Sequence, residues 1–156
     1  MSYTKNVRKG GMTLRTFSVL AGSRIFDRHS GTNVIIKDVF FDNSGIVHGL
    51  LAKRHPWSKC RFFPISGFLS EAPKVANAAV QELWTVCHKP KHVLGQAVTK
   101  QAEMDAMITD VYFSDNLDTL VAVETTEGFF SDMRHGRQTL FHNASYEING
   151  ESFFGQ

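Results

Sequence analysis

One pattern is stated twice in this chain, and that repetition constrains the fold more than any single residue does. Ile36-Lys37-Asp38-Val39-Phe40-Phe41 returns 72 positions later as Ile108-Thr109-Asp110-Val111-Tyr112-Phe113. A glycine-led apolar entry precedes each copy, Gly22-Ser23-Arg24-Ile25-Phe26 and Gly95-Gln96-Ala97-Val98-Thr99. Each copy must be a supersecondary unit with a face to bury, and neighbouring copies bury it best against each other. A residue shared by both copies is accordingly expected to be structural before it is catalytic.

The local signals are those of short strands. Leu14–Leu20 alternates apolar and polar residues and suits a first strand or its lead-in. Arg24–Asp27 reads as a strand, Arg28–Gly31 as a turn, and Val34–Asp42 as the strongest strand, rich in β-branched and aromatic residues. Asp42-Asn43-Ser44-Gly45 is a turn leading to a strand at Ile46–Ala52. Phe62–Ile65 is a further strand that Pro64 confines to a sheet edge. The second copy repeats the programme with strands near Ala97–Val98, at Ala106–Ser114, Leu120–Glu124 and Thr139–Phe141. Its turns fall at Asp115–Asp118 and at Arg134-His135-Gly136-Arg137, and the aromatic tail Tyr146–Phe154 is expected to pack against a barrel. Residues 73–84 read as a short linker helix, Ser70 capping and Pro73 opening it; a closing strand of the first unit is the competing reading.

These patterns predict an all-β chain of two tandem small β-barrels, since closure removes exposed strand edges. Residues 1–12 form a basic arm expected to be disordered, 13–88 the first unit with its linker helix, and 89–156 the second. A chain of 156 residues is one ordinary domain or two very small ones. No stretch approaches the ~20 apolar residues of a membrane-spanning helix. Met1–Met12 has no apolar run of the secretory kind. Cys60 and Cys87 show no framework spacing, which reads as reduced thiols in a cytoplasmic protein.

Charge separates the copies that pattern unites. Residues 1–92 carry fourteen Lys and Arg against five acids, a net of +9, and residues 93–156 carry three against ten, a net of −7. Such asymmetry predicts an acidic partner for the first half, or a homo-oligomer through the opposed charge of the halves. Divergence of surface charge after duplication is the plainer explanation.

A glycine-led strand, a glycine turn, Asp38-Val39-Phe40-Phe41 with Asp42-Asn43-Ser44-Gly45, another strand and an aromatic-proline strand together resemble the PRC-barrel. That small β-barrel is found in the photosynthetic reaction-centre H subunit and at the C-terminus of the ribosome maturation factor RimM. The resemblance covers about residues 13–72 and 91–145. The family usually has glycine just before the Asp-Val strand, where this chain has Val34-Ile35 and Asp105-Ala106. The second copy has His142 where the pattern places proline beside Phe141. The resemblance implies a RimM-like, non-enzymatic adaptor that needs no cofactor.

The richest candidate site is Lys53-Arg54-His55-Pro56-Trp57-Ser58-Lys59-Cys60-Arg61. Lys53, Arg54, Lys59 and Arg61 around Trp57 suit a protein contact, where Trp and Arg dominate binding energy. They equally suit phosphates with a stacked base, which makes an RNA-binding or ribosome-associated factor the alternative. A solvated loop with Trp57 folded back onto the barrel is the plainest reading. His55, Cys60, Cys87, His88 and His92 are zinc-competent types, but His55-x4-Cys60 and Cys87-His88-x3-His92 fit no standard ligand spacing. Asp38 and Asp110 could form an acid/base or cation-holding pair; turn capping, or a salt bridge to Lys37 or Arg24, is the structural alternative. No nucleophile elbow, phosphate loop or dinucleotide fingerprint occurs, so an enzyme or a metal protein stands third.

Overall fold

The computed structural model describes residues 7–9, 12–68, 88–100, 103–141, 146–148 and 151–153. In chain order these form β1 Val7–Lys9, β2 Met12–Thr16, α1 Phe17–Leu20, β3 Arg24–Asp27, β4 Thr32–Phe41, β5 Val47–Lys53 and β6 Arg61–Pro64. A 3-10 turn, Ile65–Gly67, follows. Then come α2 Pro90–Val93, β7 Ala97–Lys100, β8 Glu103–Ser114, β9 Leu120–Thr126, α3 Phe129–His135, β10 Gln138–Phe141, β11 Tyr146–Ile148 and β12 Glu151–Phe153. The chain is mostly β, as the alternation predicts. The linker at 73–84 and Cys87 lie outside the described residues.

The duplication is visible bond by bond. In the first copy the Gly22 N–H donates to the Ile36 carbonyl (2.8 Å) and the Ile36 N–H to the Ser23 carbonyl (2.9 Å). In the second, Gly95 donates to Ile108 (2.8 Å) and Ile108 to Gln96 (2.9 Å). Both glycines follow a four-residue helix with φ near +80°, a region that costs a side-chain-bearing residue energy. β4 is bulged at Lys37 and its partner β5 at His48; β8 is bulged at Thr109 and its partner β9 at Val121. A bulge re-aims side chains and deepens twist, so both long strands bend at equivalent places.

The copies interlock instead of standing side by side. β2, which leads into the first helix, pairs with β8 of the second copy, Arg15 opposite Phe113. Reciprocally His88, which leads into α2, bridges Phe41 of β4 through hydrogen bonds in both directions. Between the two β-hairpins the Val47 N–H donates to the Asp118 carbonyl (2.9 Å) and the Leu120 N–H to the Gly45 carbonyl (2.7 Å). These bonds exchange under the repeat and define a two-fold relation through Ile46 and Thr119.

Two sheets result, β3-β4-β5-β6 and β1-β2-β8-β7-β11-β12, with β9 on the other edge of β8 and β10 on β9. Neither closes into a barrel among the described residues, in place of the expected tandem pair. Instead, each lead-in segment pairs beside the long strand of the other copy, β2 with β8 and His88 with Phe41. One apolar cluster serves both copies, drawing Ile36, Val39, Phe41 and Leu50 together with Ile108, Val111, Phe113 and Leu120. The Phe41 and Phe113 rings meet across it edge to face, 6.3 Å apart. Ile148 of β11 is buried in the same cluster, so that part of the tail packs inward as expected.

Three local expectations differ. Leu14–Leu20 is not one strand: Phe17 and Leu20, three apart and both buried, turn its second half into α1. Val7–Lys9 of the expected disordered arm pairs with β2. The basic turn at Arg134–Arg137 is the end of α3 and its exit. Pro64 does sit on an edge strand, and Pro90 opens α2 at its first position.

Candidate functional site

The β5–β6 hairpin tip holds every residue of the predicted basic and aromatic face. β5 and β6 pair with Ala52 opposite Arg61, so Lys53 and Arg61 flank the loop 54–60. His55-Pro56-Trp57-Ser58 is a β-turn, the Ser58 N–H donating to the His55 carbonyl at 3.0 Å. Pro56 fixes the second turn position. The Ser58 hydroxyl donates to the His55 carbonyl (2.9 Å) and accepts the His55 N–H (3.1 Å), which ties the turn shut.

Trp57 does not fold back. It is 83% exposed and stacks on His55 with ring centres 5.3 Å apart and planes 9° from parallel. Arg54, Lys59 and Arg61 are exposed and form no ion pair among the described residues, while the Lys53 ammonium curls onto the Pro56 carbonyl at 3.4 Å. No acid lies between Asp42 and Glu71 in the sequence. The tip is thus an aromatic stack flanked by four cations, suited to gripping an anionic surface.

The other candidates resolve into structural parts. Asp38 is buried, and its carboxylate accepts the Val39 N–H at 3.1 Å. Burial pushes its pKa up against that bond and the nearby Lys91, Lys89 and His92. Asp110 accepts the Val111 N–H (2.8 Å) and the Ser18 hydroxyl (2.5 Å). Each carboxylate therefore caps its own bulge and faces the helix of the other copy, and among the described residues neither pairs with Lys37 or Arg24. No group of three His, Cys, Asp or Glu side chains able to hold a metal occurs among the described residues. Cys60 is an exposed free thiol, and the His88 ring bonds Asn43.

Two features escaped the sequence reading. At the equivalent tip of the second copy, between β9 and β10, Phe129, Phe130 and Met133 of α3 are 72%, 82% and 71% exposed. Registering the two copies was the signal that would have found it, since β9–β10 repeats β5–β6. Beneath that tip, buried Glu124 accepts the Tyr112 hydroxyl (2.6 Å) and the Arg137 guanidinium (2.9 Å). Burial and that bond to Glu124 raise the Tyr112 pKa well above the ordinary phenol range. The equivalent pair in the first copy is Phe40 and Leu51, wholly apolar. Glu124 and Arg137 are accordingly not demands of the fold; they tie the β9–β10 tip to its sheet.

No protein-family model matches this chain, and no curated protein matches it.

Proposed function

We propose that the protein is a cytoplasmic, non-enzymatic adaptor that contacts an acidic protein surface through Lys53, Arg54, Trp57, Lys59 and Arg61. The observation that carries this reading is the exposure of Trp57. An indole held out of a core by a closed turn, amid cations that form no ion pair among the described residues, is what a binding hot spot requires: large area, low entropy cost and electrostatic steering. The pattern of each copy supports a PRC-barrel-like ancestry, in which the two units have exchanged lead-in segments. Among the described residues no helix is long and apolar enough to cross a membrane.

RNA is the second reading, favoured by the stacked His55 and Trp57 rings, a stack that a base could extend. Affinity capture from native lysate, with and without nuclease and with a Trp57→Ala/Arg61→Ala bait as control, separates the two. A protein partner that survives nuclease and disappears with the variant supports the adaptor. Partners lost on nuclease treatment move the assignment to RNA, where log affinity must also fall linearly with log salt. Equal capture by both baits removes the tip from either role.

A further inference from the structure

The exposed face of α3 lies outside the binding role just assigned, and its chemistry differs from that of the first tip. Phe129, Phe130 and Met133 fall within one ~100° arc of the helix, with the two rings 5.7 Å apart. The opposite side is tied down: Asp132 accepts the Thr126 hydroxyl at 2.7 Å, and Arg137 lies 3.8 Å from the same carboxylate. α3 is therefore a fixed apolar ridge.

Its charges are balanced and polarised. Glu127 precedes the helix and Arg134 lies in its last turn. We propose that α3 is a self-association surface on which a second copy of this chain packs its own α3 antiparallel. A two-fold axis through the ridge sets Glu127 of each copy against Arg134 of the other, twice, while the aromatic faces cover one another. Such an isologous contact needs a self-complementary patch, and α3 is one. The β5–β6 tip is not, because four cations would meet four cations.

Size sets the strength. Three side chains of this exposure bury roughly 400 Å² per copy, about 800 Å² in the pair, below the ~1,000 Å² of stable interfaces. The dimer is accordingly weak and concentration-dependent. Geometry sets the use: β5 and β9 leave the Ile46–Thr119 junction in opposite directions, so the two tips lie up to about 45 Å apart along the strands. A dimer through α3 leaves both basic tips free at its far ends and gives a repetitive partner two grips.

Sedimentation equilibrium of the full chain, from low micromolar to several hundred micromolar, tests this independently of the adaptor reading. The expected result is a reversible monomer–dimer equilibrium whose dissociation constant rises at least about tenfold in Phe130→Ala/Met133→Ala, with the thermal midpoint unchanged. Glu127→Arg alone and Arg134→Glu alone should each weaken the dimer, and the two together should restore it. A chain monomeric throughout, or a dimer indifferent to Phe130→Ala/Met133→Ala, overturns the proposal. So does a dimer lost equally in Trp57→Ala, which would mean tip-to-tip stacking. Phe130-dependent binding of a monomeric chain to phosphatidylcholine/phosphatidylglycerol vesicles would assign the ridge to a lipid surface instead.

Discussion

Phe113→Ala removes one wall of the core that the two copies share. Phe113 is fully buried on β8 of the second copy, and its ring packs on Phe41 of the first. Withdrawing an aromatic side chain of ~200 Å² from burial forfeits about 5 kcal/mol at ~25 cal/mol per Å². Phe→Ala changes in cores cost about 3–5 kcal/mol, so about 4 kcal/mol is the working figure. For a chain of this size each kcal/mol moves Tm by about 2–4 °C, which predicts a fall of about 8–16 °C. Circular dichroism reads that shift, and amide hydrogen exchange reads its distribution. Because the lead-in segments are exchanged, β4 and β5 must lose protection together with β8 and β9, in one transition. Two transitions, or a first copy that keeps its protection, would refute the interlocked core.

Further consequences follow from particular contacts. Gly49→Ala places a methyl group 2.6 Å from the Phe63 carbonyl and against the Phe62 ring; a stability loss of about 1–3 kcal/mol is expected in denaturant titration. Burial keeps the Asp38 carboxyl protonated to higher pH in the folded chain than in the unfolded one, where it titrates near 3.8. Native protein therefore binds the extra proton, and stability falls as pH rises from there through the raised folded value. Asp38→Asn keeps the acceptor for Val39 and should flatten that slope in thermal melts between acid and neutral pH. Tyr112→Phe strips buried Glu124 of the phenol donor at 2.6 Å and should cost about 1–3 kcal/mol. Adding Glu124→Leu, which installs the apolar pair that the first copy carries, should recover most of that loss, as a double-mutant cycle would show.

The duplicated strand, its 72-residue offset and the Asp42–Gly45 turn were legible in the sequence because β-branched and aromatic clustering and turn chemistry are local. The edge position of β6 followed from Pro64 alone. What pairs with β8 was not legible: the partner strand β2 lies nearly a hundred residues away, and nothing within Met12–Thr16 names it. α1 is not legible as a helix because four residues are too few to reveal a helical period, and only the burial of Phe17 and Leu20 shows it. Of the site, the composition of the β5–β6 tip was legible from Lys53 to Arg61. The outward pose of Trp57 was not, since it depends on the Pro56 turn and the stack on His55. The ridge on α3 was not legible because nothing around Phe129 and Phe130 in the sequence says whether they face inward or outward until the two tips are set in register.

The proposed adaptor role is tested most directly by the affinity of Trp57→Ala for a protein partner recovered by affinity capture, measured by titration calorimetry at fixed salt. With 83% of the residue already exposed, the substitution withdraws only about 40 Å² from the fold and costs at most about 1 kcal/mol of stability. Loss of a central tryptophan contact costs at least about 2 kcal/mol of binding, roughly 30-fold in Kd. The account predicts that 30-fold loss or more with an almost unmoved Tm. Unchanged affinity, or a large fall in Tm that carries the binding down with it, would contradict it.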